Sequence, residues 1–179
     1  MDETNRLLGL QDEENESSDG RDTQKGKYMT CKSGNEYFGL GIQYVQQIIQ
    51  YQAVTKIPET EDYIKGLINL RGKIVPVVDV RVRFKQGECE YNDKTCILVI
   101  VVKDTTVGLI VEQIAEVAEI QKENILPPPT IGRNDKGHHK YVYGIAKVGN
   151  SVKLLLDPEK LLYDDENVDG DSAKMEEEE

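Results

Sequence analysis

Short apolar runs, many rich in β-branched residues, recur from about residue 28 to residue 156, and turn signals separate them. Tyr28–Lys32 and Glu36–Leu40 flank Ser33-Gly34-Asn35. Gly66–Leu70 and Lys73–Asp79 flank Arg71-Gly72. Thr95–Val102 and Thr106–Val111 flank Lys103-Asp104-Thr105, and Tyr141–Val148 and Ser151–Leu156 flank Gly149-Asn150. Val, Ile, Thr and Tyr dominate these runs, as half-buried pleated surfaces favour. Ile42, Val45 and Ile48 instead recur every third residue, which fits one helical turn leading into a strand. A single C-terminal helix is expected, with Asp157 as N-cap, Pro158 in its first turn and an end near Tyr163.

The pattern repeats. Tyr37–Ile48 aligns without a gap on Thr106–Val117 at an offset of 69, matching Gly39 to Gly108, Leu40 to Leu109, Ile42 to Val111, Val45 to Ile114 and Ile48 to Val117. A second block, Gly66–Ile74, aligns on Gly144–Val152 at an offset of 78, and carries Val77-Val78-Asp79 onto Leu155-Leu156-Asp157. The second copy has therefore gained nine residues within Pro128–Tyr143. That stretch, opened by Pro127-Pro128-Pro129 and holding Lys136-Gly137-His138-His139-Lys140, reads as a long surface loop. Each copy supplies about five short strands, and five strands with tight turns close most readily into a small barrel. The expected fold is all-β: two five-stranded, SH3-sized barrels packed together, with an apolar furrow between them. The first barrel is placed at about 27–90 and the second at about 91–163.

Charge changes the picture of the ends. The net charge of the chain is −11, but residues 1–26 hold eight acidic and three basic side chains, and residues 164–179 hold nine and one. Residues 27–163 are thus near neutral, at about +2. Both ends are expected to be disordered acidic tails. The central part lacks the basic stripe of a nucleic-acid binder. With two Phe and no Trp it also has few platforms for base stacking. A nucleic-acid-binding β-barrel is carried as a rival, testable by the strong salt dependence it requires. Met1–Glu16 lacks a long apolar stretch, and Ile97–Val102 is far short of the ~20 residues that span a bilayer. The unpaired spacing of Cys31, Cys89 and Cys96 fits reduced thiols in the cytoplasm.

The chemistry of an enzyme is missing. His138 and His139 are the only histidines and are adjacent in a Gly/Lys loop. They form no metal-ligand spacing with Cys89 or Cys96. Cys31 and Cys96 sit within apolar strands and read as small core residues. Asp79 and Asp157 fall at matched positions where helical turns begin, so capping explains them better than acid catalysis. No phosphate-binding glycine loop precedes a helix. No catalytic residue, metal or cofactor is expected. A metal- or thiol-dependent enzyme built on His138, His139 and Cys89 is the second rival.

Where the copies differ, function has room. Gly39–Thr55 contains no charged residue, whereas the second copy places Glu112, Glu116 and Glu119 among the equivalents. An uncharged surface bearing amides and tyrosines matches the composition of interface cores. Val45 and Ile48 have apolar counterparts, so they fit core packing and partly exposed contact equally well. Arg71 replaces a small turn residue of the second copy with a planar five-donor group suited to a partner's carboxylate.

These residues carry a resemblance. Gly39-Leu40…Val45-Gln46-Gln47-Ile48, Val54-Thr55-Lys56-Ile57-Pro58 and above all Ile64-Lys65-Gly66-Leu67-Ile68-Asn69-Leu70-Arg71-Gly72-Lys73-Ile74-Val75-Pro76-Val77-Val78-Asp79 resemble the CheW coupling proteins of bacterial chemotaxis. The likeness continues through Val107–Val111 and Leu154–Leu162, and covers about residues 27–163. It implies a non-enzymatic adaptor. Such a protein links the cytoplasmic tips of chemoreceptors to a histidine kinase, itself bearing a CheW-like domain, within membrane receptor arrays. It implies that a helical hairpin docks in the groove between barrels, without membrane insertion. Val45, Gln47, Ile48, Asn69, Arg71 and Gly72 are the partner-binding residues it points to. The family usually has Glu at the position of Gln47, able to pair with the arginine of the turn; Gln47 offers Arg71 a hydrogen bond and no charge.

Overall fold

The computed structural model describes residues 24–128 and 138–163. Eleven strands run in order: β1 (Lys27–Ser33), β2 (Glu36–Gly41), β3 (Val45–Gln50), β4 (Ile64–Leu70), β5 (Lys73–Asp79), β6 (Cys96–Val102), β7 (Thr105–Val111), β8 (Gln113–Glu119), β9 (Ile125–Leu126), β10 (Val142–Val148) and β11 (Ser151–Leu156). Two short helices, α1 (Val80–Arg83) and α2 (Pro158–Tyr163), follow β5 and β11. The predicted hairpins form as pairs β1–β2, β4–β5, β6–β7 and β10–β11. Ile42–Tyr44 is a 3-10 turn that leads into β3, as the three-residue spacing implied.

The strands form two sheets, in the orders β8-β1-β2-β11-β10-β9 and β3-β6-β7-β5-β4. Neither sheet follows the division at residue 90. The six-stranded sheet joins the β1–β2 hairpin to four strands of the second copy, and the five-stranded sheet joins the β6–β7 hairpin to three strands of the first, so the copies are interlaced. The connection between β2 and β3 explains the exchange. Within its own copy β3 would have to reach the far side of β1, about 10 Å from β2. A three-residue 3-10 turn advances only about 6 Å. The chain passes into the other sheet instead.

Duplication survives this exchange in the register itself. The parallel pair β11–β2 sets Leu155 opposite Gly39, and β5–β7 sets Val77 opposite Gly108. The bulged pair β8–β1 joins Ile114 to Cys31 and Val117 to Met29. Its image, β3–β6, joins Val45 to Ile100 and Ile48 to Leu98. Every one of these pairs maps on its counterpart by the offsets read from the sequence.

Period-2 alternation gives each sheet two apolar faces, and hence three cores. Ile68, Val75, Val77, Ile97, Val99 and Ile110 fill the β3–β7 barrel. Ala118, Ile120, Ala146 and Leu155 fill the other. A larger cluster packs between the sheets, with Met29, Phe38, Leu40, Val45, Ile48, Val78, Phe84, Leu98, Ile100, Leu109 and Leu161 among its members. Phe38 stacks on Phe84 at 4.6 Å between ring centroids. The seam is therefore closed by side chains. The apolar furrow that the sequence suggested is thus filled along this seam among the described residues.

Both helix caps form as expected. The Asp79 carboxylate accepts from the backbone N–H of Arg81 at 2.9 Å, and that of Asp157 from Glu159 at 3.0 Å. Of the expected N-terminal tail, only Gln24–Gly26 is described; it forms a turn whose Gly26 carbonyl accepts from the Ile120 N–H. Residues 1–23 and 164–179, and most of the predicted loop at 128–143, lie outside the described residues.

Candidate functional site

Asn69, Arg71 and Gly72 come together at the tip of the β4–β5 hairpin. Leu70 pairs with Lys73, leaving Arg71-Gly72 as a two-residue loop. Both loop residues have positive φ, 52° at Arg71 and 84° at Gly72, the conformation of a type I′ hairpin turn. Asn69 Oδ1 accepts from the Gly72 N–H at 2.9 Å, so its side chain holds the turn. At the stem, Lys73 Nζ donates to Thr106 Oγ1 of β7 at 2.8 Å. A turn so tied is a stiff mount for Arg71, which is exposed and makes no ion pair among the described residues.

Ile74 adds an element that sequence reasoning missed. It is 58% exposed and sits opposite Asn69 across the hairpin. Alternation along β5 contained the signal. Val75 and Val77 point into the barrel core, so Ile74, Pro76 and Val78 share the other face. Val78 joins the core between the sheets, Pro76 is half-buried and Ile74 emerges into solvent. Leu67, paired with Pro76, lies beside them and is half-buried. An apolar ramp thus rises from the seam to the hairpin tip and ends at Arg71.

Val45 and Ile48 are not on this surface. They are 6% and 8% exposed, and both face the core between the sheets. Of the two roles open to them, packing wins, because the bulge between Val45 and Gln47 keeps both side chains inward while adding a residue between them. Gln47 is half-buried on β3, and Gln46 and Gln50 are exposed. β3 and β4 end opposite sides of their sheet's strand order, and among the described residues Gln47 makes no hydrogen bond to Arg71. Ile49 of β3 and Leu70 of β4 nonetheless pack on the same barrel core. The uncharged stretch of copy one therefore presents Gln46, Gln50 and Gln52 to solvent and turns Ile49 and Tyr51 inward.

The thiols have the wrong poise for nucleophilic work. Burial, opposed in part by Lys153, pushes the Cys31 thiol up to about 12. Burial also raises Cys89, with a hydrogen bond to Glu112 adding to it, and raises Cys96. All three are protonated near neutrality. Cys96 packs at the edge of the core between the sheets, and its thiol donates to the Lys94 carbonyl at 3.3 Å. The two histidines fall in a 3-10 turn at His138–Tyr141, and their side chains lie outside the described residues. Among the described residues no three His, Cys, Asp or Glu side chains gather as a metal site, and no helix is long and apolar enough to cross a membrane.

Comparison with known proteins agrees with this architecture. Residues 27–166 match the family model of the CheW-like domain. A chemotaxis protein CheW of Klebsiella aerogenes is 36% identical over 140 residues, 78% of this chain and 83% of that protein. One from Treponema pallidum is 29% identical, covering 74% and 79%. The crystal structure of the scaffolding protein TtCheW from Thermoanaerobacter tengcongensis superposes with a TM-score of 0.69 at 33% identity, covering 76% of this chain and 86% of that one. With two interlaced barrels, a matching family model over most of its length and a close relative on both sequence and structure, this chain belongs to the CheW-like family of chemotaxis adaptors.

Proposed function

We propose that this adaptor couples the cytoplasmic tips of chemoreceptors to a chemotaxis histidine kinase, and that the β4–β5 hairpin is its principal docking element. One observation carries the reading: a rigid turn sets an exposed arginine at the end of an apolar ramp, Ile74 the most exposed of its members. A receptor tip is a helical hairpin, and a helix laid on such a ramp buries one apolar stripe. Arg71 then meets a carboxylate on the helix in a two-pronged hydrogen bond. Val45 and Ile48 support this surface from below, by fixing β3 against β6. Gln47, at the half-buried edge of β3, supplies an amide contact. Residues 27–163 are the unit that does this work, and the protein acts in the cytoplasm at receptor arrays without catalysis.

The test is capture of a soluble receptor-tip fragment and of the kinase's CheW-like domain by the full chain and by Arg71→Ala and Ile74→Glu. Both substitutions are at exposed sites, so circular dichroism and the unfolding midpoint should hold. Receptor capture should fall at least tenfold in each. Undiminished capture of both partners by both variants would remove the hairpin from the interface.

A further inference from the structure

The two copies place a polar recess at the same point of the fold, and only one is filled. In copy one Arg81, two residues past the helix cap Asp79, donates from Nη1 to Glu112 Oε1 and from Nε to the Gly87 carbonyl. Tyr91 closes the recess by donating to Asp79 Oδ2 at 2.6 Å. What remains is a void of about 10 Å³. Under the repeat offsets, Asp79 and Arg81 of copy one correspond to Asp157 and Glu159 of copy two, and Glu112 of copy two corresponds to Gln43 of copy one. Asp157, Glu159 and Gln43 line a cavity of about 210 Å³, and Tyr44 and Tyr143 are also among its lining residues. The acceptors have been kept and the cation has been replaced by another acid.

We propose that this cavity is a guanidinium site that takes an arginine side chain from a partner protein. Charge complementarity supports the occupant. In copy one Arg81 offsets one of the two carboxylates, leaving −1, whereas Asp157 and Glu159 with neutral Gln43 leave −2. Lys103 reaches Glu159 Oε1 at 2.6 Å, but both side chains are more than half exposed, so that pair is weak. Asp157 Oδ1 accepts from the helix N–H groups of Glu159 and Lys160, while Gln43 accepts no hydrogen bond among the described residues. Tyr143 donates its hydroxyl proton to Tyr28 at 3.0 Å, which holds its ring in place. A planar guanidinium stacks on a tyrosine ring while its edges bond acceptors, which an ammonium does not do. The protein already uses that arrangement where Arg83 lies over Tyr63 and Tyr141, at 4.1 and 4.8 Å. The chain just after α2 is a poor occupant, since residues 164–179 hold nine acidic side chains and no arginine.

The experiment titrates the ¹⁵N-labelled full chain with N-acetyl-arginine N-methylamide and follows its amide resonances. Saturable shifts confined to Gly41, Gln43, Tyr44 and Tyr143 are expected, at least tenfold weaker with the matching lysine derivative. The double variant Gln43→Glu, Glu159→Arg rebuilds the ion pair of copy one and should abolish the shifts while leaving the remaining spectrum folded. Absence of saturation, or equal shifts in the double variant, overturns the site. Free arginine binding more than tenfold tighter than the blocked residue overturns the protein source in favour of a small metabolite. Binding that emerges only after Arg6→Gln and Arg21→Gln overturns it in favour of the chain's own N-terminal segment.

Discussion

Arg83 donates its Nε–H to the carbonyl of Leu161 at 2.9 Å, and Leu161 occupies the place of Arg83 in the second copy. The guanidinium also lies between Tyr63 and Tyr141, which are themselves equivalent under the repeat. One buried side chain thus ties both copies together where their pseudosymmetry would otherwise leave two identical apolar positions. Arg83→Met keeps the stem and removes the planar group, leaving the Leu161 carbonyl short of a donor. A loss of about 2–3 kcal/mol is expected. Urea unfolding measures it, and a change under about 0.5 kcal/mol would mean that apolar packing alone holds the seam.

Gly66 is fixed by close approach of the backbone. Its φ is 140°, and a Cβ there would lie 2.0 Å from the Thr55 carbonyl oxygen. It sits at the bulge of β4, next to Leu67, which exchanges backbone hydrogen bonds with Thr55. Gly66→Ala must push the 55–67 bridge apart, so a loss of about 3 kcal/mol or more is expected, with hydrogen exchange accelerated first at Thr55 and Leu67. Gly72→Ala, where nothing lies within 4 Å, carries only the backbone penalty of positive φ and should lose about 1 kcal/mol. Equal losses at the two sites would show that the steric clash is relieved elsewhere.

The hairpins, both helix caps and the duplication were legible because each rests on local chemistry. Asp157-Pro158 announces a helix start, and Gly39 and Gly108 mark the same close contact twice. The interlacing was not legible, since Val45 pairs with Ile100 by the same rules that would pair it with Cys31. Sequence alone does not say from which copy the partner comes; the length of the Ile42–Tyr44 turn decides it. Of the site, Arg71 was visible as a charge added to a turn. Ile74 was hidden by its neighbours, because Lys73–Asp79 is nearly continuous in apolar residues and periodicity does not reveal which face is covered. Val45 and Ile48 match both a core and a contact until the second sheet is in place.

The Cys31 thiol gives stability a pH dependence on the alkaline side. Its folded value is about 12, raised by burial from an ordinary 9.0. A raised pKa means that the unfolded chain releases the proton first. The contribution is therefore fully present below about pH 9 and is lost as pH rises toward 12. At about pH 10.5 the loss should reach roughly 2 kcal/mol. Other groups titrate in that range, so the readout is a difference. The stability gap between the native chain and Cys31→Ala should narrow by that amount between about pH 8 and pH 10.5, with reductant present. A gap independent of pH would show that the thiol is reached by solvent.

Arg71 and Val45 offer a test that separates binding from folding, because one is exposed on the hairpin and the other is buried in the core. Arg71 holds a left-handed conformation, which a side chain such as arginine adopts at a cost of about 1 kcal/mol. Asparagine tolerates it better, and Asn-Gly is the favoured pair for this turn. Arg71→Asn should therefore leave the unfolding midpoint unchanged or raise it, while removing the guanidinium and with it receptor capture. Val45→Asp does the reverse. It places a carboxylate in the apolar core between the sheets, in one cluster with Ile48, Leu98 and Ile100, and should lose several kcal/mol. Its failure to bind would then follow from unfolding. Paired denaturation and capture measurements on the two variants decide the matter: a stable, binding-deficient Arg71→Asn beside an unfolded Val45→Asp places recognition at the hairpin. A folded Val45→Asp that has lost binding would return β3 to the interface.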